Sequence, residues 1–205
     1  LIPGGPELLS QFPESVKLIV EAGPGYNNID LDAARAKGIT VCNIPAYSTA
    51  RVAHTAIMML LNFASTMQQQ IGMLARGDRS NFTKHLQVPH TEVNGKTLGI
   101  IGAGHIGMAV VKVARALDMN ILIHTRTPKE DSEGIRYVSL DELLAKSDYI
   151  SLHCPLNDKT KHLINKDTIA KMKSNAVIIN TGRGALINEA DLCDALAAKR
   201  IHGAG

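Results

Sequence analysis

The string Gly102-Ala103-Gly104-His105-Ile106-Gly107 constrains this chain more than any other feature. It is a GxGxxG pattern set between an apolar run, Thr97 to Ile101 (TLGII), and a helix-periodic segment, Ile106 to Leu117. Strand, glycine turn and helix in that order make a phosphate-binding βα unit. The first glycine permits the tight turn, the second lets a pyrophosphate approach the backbone, and the third lets helix pack on strand. Amides at the helix start, those of His105 and Ile106 among them, favour an anion. The spacing therefore predicts a dinucleotide-binding turn.

The rest of the chain keeps the same rhythm. Strands are expected at Asn120 to His124, Asp148 to His153 and Ala176 to Asn180. Helices are expected at Leu140 to Lys146, Lys166 to Met172 and Glu189 to Ala198, with a further strand starting near Gly205. That alternation predicts an α/β fold, a Rossmann-type doubly wound parallel sheet. Ahead of it, Ser48 or Thr49 caps one long helix expected to reach about Arg76, followed by a polar segment to Lys96. The first 45 residues or so read as strand (KLIVE, Lys17 to Glu21), turn-rich loop (Gly23 to Asn28), short helix closed by Gly38, and strand (Ile39 to Cys42). This piece of a second α/β layer is too small to close its own core. The expected boundaries are 1–47 and 48–205, the long helix belonging to the second part.

Composition excludes several classes. With no Trp and only 3% aromatic residues, the core is aliphatic and lacks the stacking platforms of a single-strand nucleic-acid binder. The net charge of +3 comes from scattered basic residues, so no polyanion-binding face is implied. Cys42, Cys154 and Cys193 form no CxxC, which argues against a zinc site or disulfide framework and fits a reducing cytoplasm. The longest apolar stretch, Ala56 to Leu61, is too short for a bilayer, so no membrane partner is expected. No signal peptide opens the chain, and Leu1 falls inside an apolar-then-turn pattern, so the natural N-terminus is expected upstream.

The strand ending at His124 runs into Thr125-Arg126-Thr127-Pro128-Lys129, with no carboxylate before Glu130. A site for NAD places an acid there to accept the ribose hydroxyls. An arginine beside small hydroxyl residues suits a 2′-phosphate. NADP(H) is favoured, with NAD(H) possible.

Several separated motifs resemble the D-isomer-specific 2-hydroxyacid dehydrogenases, and they cover nearly the whole chain. They are Ala22 to Asp30 (AGPGYNNID), Asn43 to Ser48 (NIPAYS), Asn94 to Ile100 (NGKTLGI), His153 to Leu156 (HCPL) with Thr160 and Leu163-Ile164-Asn165, and Ile179 to Gly184 (INTGRG). The resemblance implies an oxidoreductase that reduces a small 2-oxo acid to its D-2-hydroxy acid, or the reverse, of the glyoxylate, hydroxypyruvate or pyruvate type, acting on the CH-OH group of donors. It makes residues 1–47 part of a flavodoxin-like substrate domain. It implies that Arg183 pairs with the substrate carboxylate and reacting carbonyl, as a planar guanidinium can. It places amides around Gly23, Pro24 and Gly25 at the carboxylate, although Pro24 has no N–H to give. Tyr47 lies near the substrate or packs at the domain boundary. The implied cofactor surface comprises Val52, Gly102, Gly104, His105, Ile106, Gly107, Thr125, Arg126, Thr127, Cys154, Pro155, Thr160, Thr181, Gly182 and Arg183, with no metal. A homodimer joined through the long helix is implied as well.

In this family the general acid is a histidine held by a glutamate, both C-terminal to the arginine segment. The chain reaches Gly205 before either, so it is expected to be an internal piece of a longer enzyme, inactive alone. His54 stands where the family commonly has glutamate; on a buried helix it is read as structural, and His105 and His153 are not assigned as acids. Two other classes share the fold: dinucleotide-sensing corepressors resembling the C-terminal binding proteins, and formate dehydrogenases.

Overall fold

The computed structural model describes residues 4–83 and 85–205. The chain divides into two compact units, Leu1–Ala50 and Arg51–Gly205, a few residues beyond the boundary expected from sequence. In the first unit, α1 (Pro6–Ser10) and α2 (Leu31–Ala36) accompany a two-stranded parallel sheet of β1 (Leu18–Glu21) and β2 (Thr40–Asn43). Asp30 caps α2 by accepting from Ala33 N at 2.8 Å. The buried hydrophobic cluster here is small, Leu9, Ala34 and Ile39, while Leu18 and Val20 stay exposed on β1.

In the second unit the strands are β3 (Thr97–Ile101), β4 (Asn120–His124), β5 (Ile135–Tyr137), β6 (Tyr149–Leu152), β7 (Val177–Asn180) and β8 (Gly203–Ala204). They form one parallel sheet in the order β5-β4-β3-β6-β7-β8. That order is the doubly wound arrangement. The helices are α3 (Thr49–Ser65), α4 (Met67–Ala75), α5 (Ser80–Thr83), α6 (His105–Ala116), α7 (Leu140–Lys146), α8 (Lys166–Ala170) and α9 (Glu189–Ala197), with a 3₁₀ turn at Gly184–Leu186.

Strand alternation decides which helix packs where. Leu98, Ile100, Ile121, Ile123, Val177 and Ile179 point to one face and are covered by α3 and α6. Ile101, Leu122, Ile150, Leu152 and Ile178 point to the other and are covered by α7, α8 and α9. Burying each such aliphatic side chain contributes about 1.5–3 kcal/mol, so both layers are held firmly to the sheet.

The single helix expected from Ser48 to Arg76 is in fact two. Thr66 is left-handed, φ 50°, and separates α3 from α4. Its hydroxyl donates to Pro89 O at 2.6 Å, and Gln70 Nε2 donates to Ser65 O at 2.5 Å. These side-chain bonds offer the backbone an alternative to the helix ladder, and Ser and Thr favour such alternatives. The polar segment after Gly77 also contains the short α5, and β5 adds an edge strand that the sequence did not announce. Among the described residues no helix is long and apolar enough to cross a membrane.

Candidate functional site

The loops after β4, β3, β6 and β7 lie side by side in that order, because those strands are neighbours. Helix α6, which follows β3, covers one face, and α8, which follows β6, covers the other. The connections therefore part between β3 and β6, and a crevice at their carboxyl ends is the place where such sheets bind ligands.

The glycine turn sits at that crevice. Gly102 has φ +103°, and a β-carbon on it would come within 2.6 Å of Cys154 N and 2.8 Å of His153 O. Only glycine fits this conformation and this approach. Backbone bonds fix the neighbours: Gly102 N donates to His124 O at 2.9 Å, and His153 N to Ile101 O at 2.8 Å. Gly107 is buried, its α-carbon against the Gly102 carbonyl. Gly104 and His105 are exposed and Ile106 is half-buried.

Three observations test whether these residues fit a dinucleotide. First, α7, α8 and α9 each begin with a side-chain cap, from Ser139, Asn165 and Asn188, whereas α6 begins on Gly104 with none. Its first amides are left for an anion. Second, a β-carbon on Gly104 would meet nothing within 4 Å, so the backbone there is open to close approach. Third, Thr181 Oγ1 is buried without a hydrogen-bond partner among the described residues, a polar atom awaiting one. The fit is good on all three counts.

After β4, Thr125 is half-buried while Arg126 and Thr127 are exposed. The nearby carboxylate of Asp131 is occupied, accepting from Tyr137 N at 2.7 Å.

After β6, His153 lies 2.9 Å from the Ser151 hydroxyl through Nε2. Burial pulls its imidazole down to about 4, so it is neutral near pH 7. Burial pushes the Cys154 thiol up, which keeps it from acting as a nucleophile. Pro155 is exposed. Thr160 Oγ1 donates to Pro155 O at 2.6 Å and accepts from Asn157 N at 2.9 Å, so this hydroxyl braces its own loop.

After β7, Asn180 organises the arginine turn. Its Oδ1 accepts from Gly182 N at 3.0 Å and its Nδ2 donates to Arg183 O at 2.9 Å. Arg183 is half-buried, and its Nη1 donates to Gly182 O at 3.2 Å. Asn180 and Ser151 were not among the residues singled out from sequence. The Asn-Thr-Gly run was a turn signal that could have found the first.

Val52 is half-buried on α3. His54, read as a structural residue of a buried helix, is exposed, because buried Ala53, Ala56, Ile57 and Leu60 set the inner stripe and His54 falls off it. The first unit holds the expected substrate loop. Gly23 O accepts from Ile44 N at 3.1 Å and Pro24 O from Asn43 Nδ2 at 2.8 Å, which ties the loop by its carbonyls to the end of β2. Gly25 is half-buried, and Tyr47 is 65% exposed.

Comparison with known proteins agrees with this geometry. Residues 57–205 match the family described as D-isomer specific 2-hydroxyacid dehydrogenase, NAD binding domain. A hydroxypyruvate reductase of Blautia hydrogenotrophica is 40% identical over 97% of this chain and 63% of its own length. A D-lactate dehydrogenase of Aquifex aeolicus, solved with NAD and lactic acid, superposes with a TM-score of 0.91 at 36% identity, over 99% of this chain and 60% of that one. An acyclic imino acid reductase solved with NADPH and D-Arg gives a TM-score of 0.88 at 32% identity, over 100% of this chain and 65% of that one. The chain spans about three-fifths of the length of the first curated relatives it matches. Its second unit is a binding domain for a nicotinamide dinucleotide.

Proposed function

Because this chain belongs to the D-isomer specific 2-hydroxyacid dehydrogenases, we propose that the protein interconverts a small 2-oxo acid and its D-2-hydroxy acid. The substrate is of the glyoxylate, hydroxypyruvate or pyruvate type. The observation that carries this reading is the order of loops along one sheet edge: Arg126 after β4, Gly102–Gly107 after β3, His153–Cys154 after β6, Arg183 after β7. A dinucleotide read from ribose to pyrophosphate to nicotinamide along that edge ends at Arg183.

A bound nicotinamide supplies or accepts the hydride. The α6 amides hold the pyrophosphate, and Thr181 offers its buried hydroxyl to the nicotinamide end. Arg183, set by the Asn180 brace, aligns its planar guanidinium with the substrate carboxylate and the reacting oxygen. It stabilises negative charge as that oxygen becomes an alkoxide. Arg126, which has no ion pair among the described residues, selects NADP(H) over NAD(H).

The protein acts as a homodimer. Met58, Leu61, Met67, Ile71 and Leu74 are exposed on α3 and α4, and they are the apolar side chains that a second copy would cover.

Arg183→Lys tests the catalytic reading. In the full-length protein it should lose most turnover and substrate affinity on glyoxylate, hydroxypyruvate and pyruvate, yet bind cofactor normally, since lysine cannot span two oxygens. Near-normal kinetics would remove Arg183 from the chemistry.

A further inference from the structure

At the amino end of the same sheet, opposite the glycine turn, a cavity of about 240 Å³ opens between the starts of β6, β7 and β8 and the end of α3. Phe63, Pro89 and Val177 give it an apolar wall, and Lys96, Tyr149 and Thr91 give it hydrogen-bond donors. Its size is below the roughly 300–1,000 Å³ of most ligand pockets, which suits a small occupant.

The charges around it do not cancel. Asp148 lines the cavity, but its carboxylate already accepts from Lys173 Nζ at 2.8 Å and Thr97 N at 2.9 Å. Burial pushes that carboxyl up, but the bonds from Lys173 and Thr97 outweigh burial and hold it below the usual carboxylate range, so it is ionised and satisfied. The Lys96 ammonium, in contrast, has no ion pair or side-chain hydrogen bond among the described residues. Tyr149 is 5% exposed, and its hydroxyl likewise has no partner among them. Burial and then the Asp148 charge push its phenol up, which keeps it protonated and a donor. A half-buried ammonium with no ion pair among the described residues and a phenol hydroxyl that opens to the cavity, beside an apolar wall, suit an anion with a hydrophobic part.

We propose that this cavity is a second binding site, for a small organic anion with an apolar body, separate from the dinucleotide crevice. The anionic group meets Lys96 and Tyr149, and the body lies on Phe63 and Val177. The two sites are on opposite ends of β6, a strand length of roughly 10 Å apart or more, so one ligand cannot span both.

The test is calorimetric titration of the full-length protein, saturated with NADPH, with benzoate as the probe. Saturable binding is expected to survive Arg183→Ala and to weaken by roughly tenfold or more in Lys96→Met, the usual effect of losing a charge-assisted hydrogen bond. Tyr149→Phe, which keeps the ring and so the packing, should weaken it as well. Benzamide, which lacks the charge, and inorganic phosphate, which lacks the body, should both bind more weakly than benzoate. Absence of saturable benzoate binding overturns the proposal. So does binding that disappears in Arg183→Ala, because benzoate would then be occupying the catalytic site, or binding unchanged in both cavity variants. Phosphate binding as tightly as benzoate overturns the assigned ligand class.

Discussion

The Gly107 α-carbon stands so close to the Gly102 carbonyl oxygen that any β-carbon would overlap it, whereas Gly104, between them in sequence, faces open space. Two glycines of one motif thus answer different demands, the last to packing and the middle one to the ligand. Gly107→Ala should cost about 1–3 kcal/mol of stability, because the helix start must shift away from β3. Gly104→Ala should leave the melting temperature nearly unchanged and weaken dinucleotide binding at least tenfold, about 1.4 kcal/mol, by pushing the pyrophosphate off the amides. Thermal melts and cofactor titrations of the two variants check this. Equal stability losses in both would remove the distinction.

Arg126 is exposed just past β4, and Asp131 downstream of it accepts from Tyr137 N. Replacing Arg126 by Ala should weaken NADP(H) by about 1.5–3 kcal/mol, the range for a charged hydrogen bond, and leave NAD(H) almost untouched. Dissociation constants for both cofactors decide the matter. Wild-type protein binding NAD as tightly as NADP would show that Arg126 does not select.

The order of strands and helices was readable because period-2 and period-3.6 patterns alternate cleanly from Thr97 onward, and the glycine turn fixed where the ligand edge lies. What escaped the sequence depends on contacts between distant residues. Thr66 breaks the long helix through a bond to Pro89, far along the chain, and no local pattern announces that partner. His54 was read as a structural residue of a buried helix, yet the inward stripe is set by Ala53, Ala56 and Leu60 and leaves His54 exposed. Asn180 is different, because its two bonds are local, to Gly182 N and Arg183 O, and the Asn-Thr-Gly run was a turn signal that could have found it.

His153 supplies a pH dependence of stability. Burial pulls its pKa from 6.5 down to about 4, so the unfolded chain binds the proton more tightly than the fold does. The stabilising contribution is therefore complete above about pH 6.5, falls as pH drops through that value, and is gone below about pH 4. Between about pH 7.5 and about pH 5 the loss should be on the order of 2 kcal/mol. His153→Gln should be less stable at neutral pH but should melt with a flatter pH profile over that range. Parallel slopes for the two proteins would mean that another group carries the acid sensitivity.

The exposed side of α3 and α4 yields the last expectation. Met58 and Ile71 are 59% and 57% exposed, and together with Leu61 and Met67 they border an apolar groove of about 590 Å³. A stable dimer buries about 800 Å² on each partner, and large side chains fully covered at its centre contribute about 1.5–3 kcal/mol apiece. Sedimentation of the full-length protein at micromolar concentration should therefore give a dimer. Met58→Glu and Ile71→Glu should each shift it toward monomer, because a carboxylate cannot be buried there without a cation, and among the described residues no lysine or arginine lines the groove. Since both side chains point away from the sheet, far-ultraviolet circular dichroism should be unchanged. A wild-type monomer, or dimers that persist in both variants, would place the subunit contact elsewhere on the molecule.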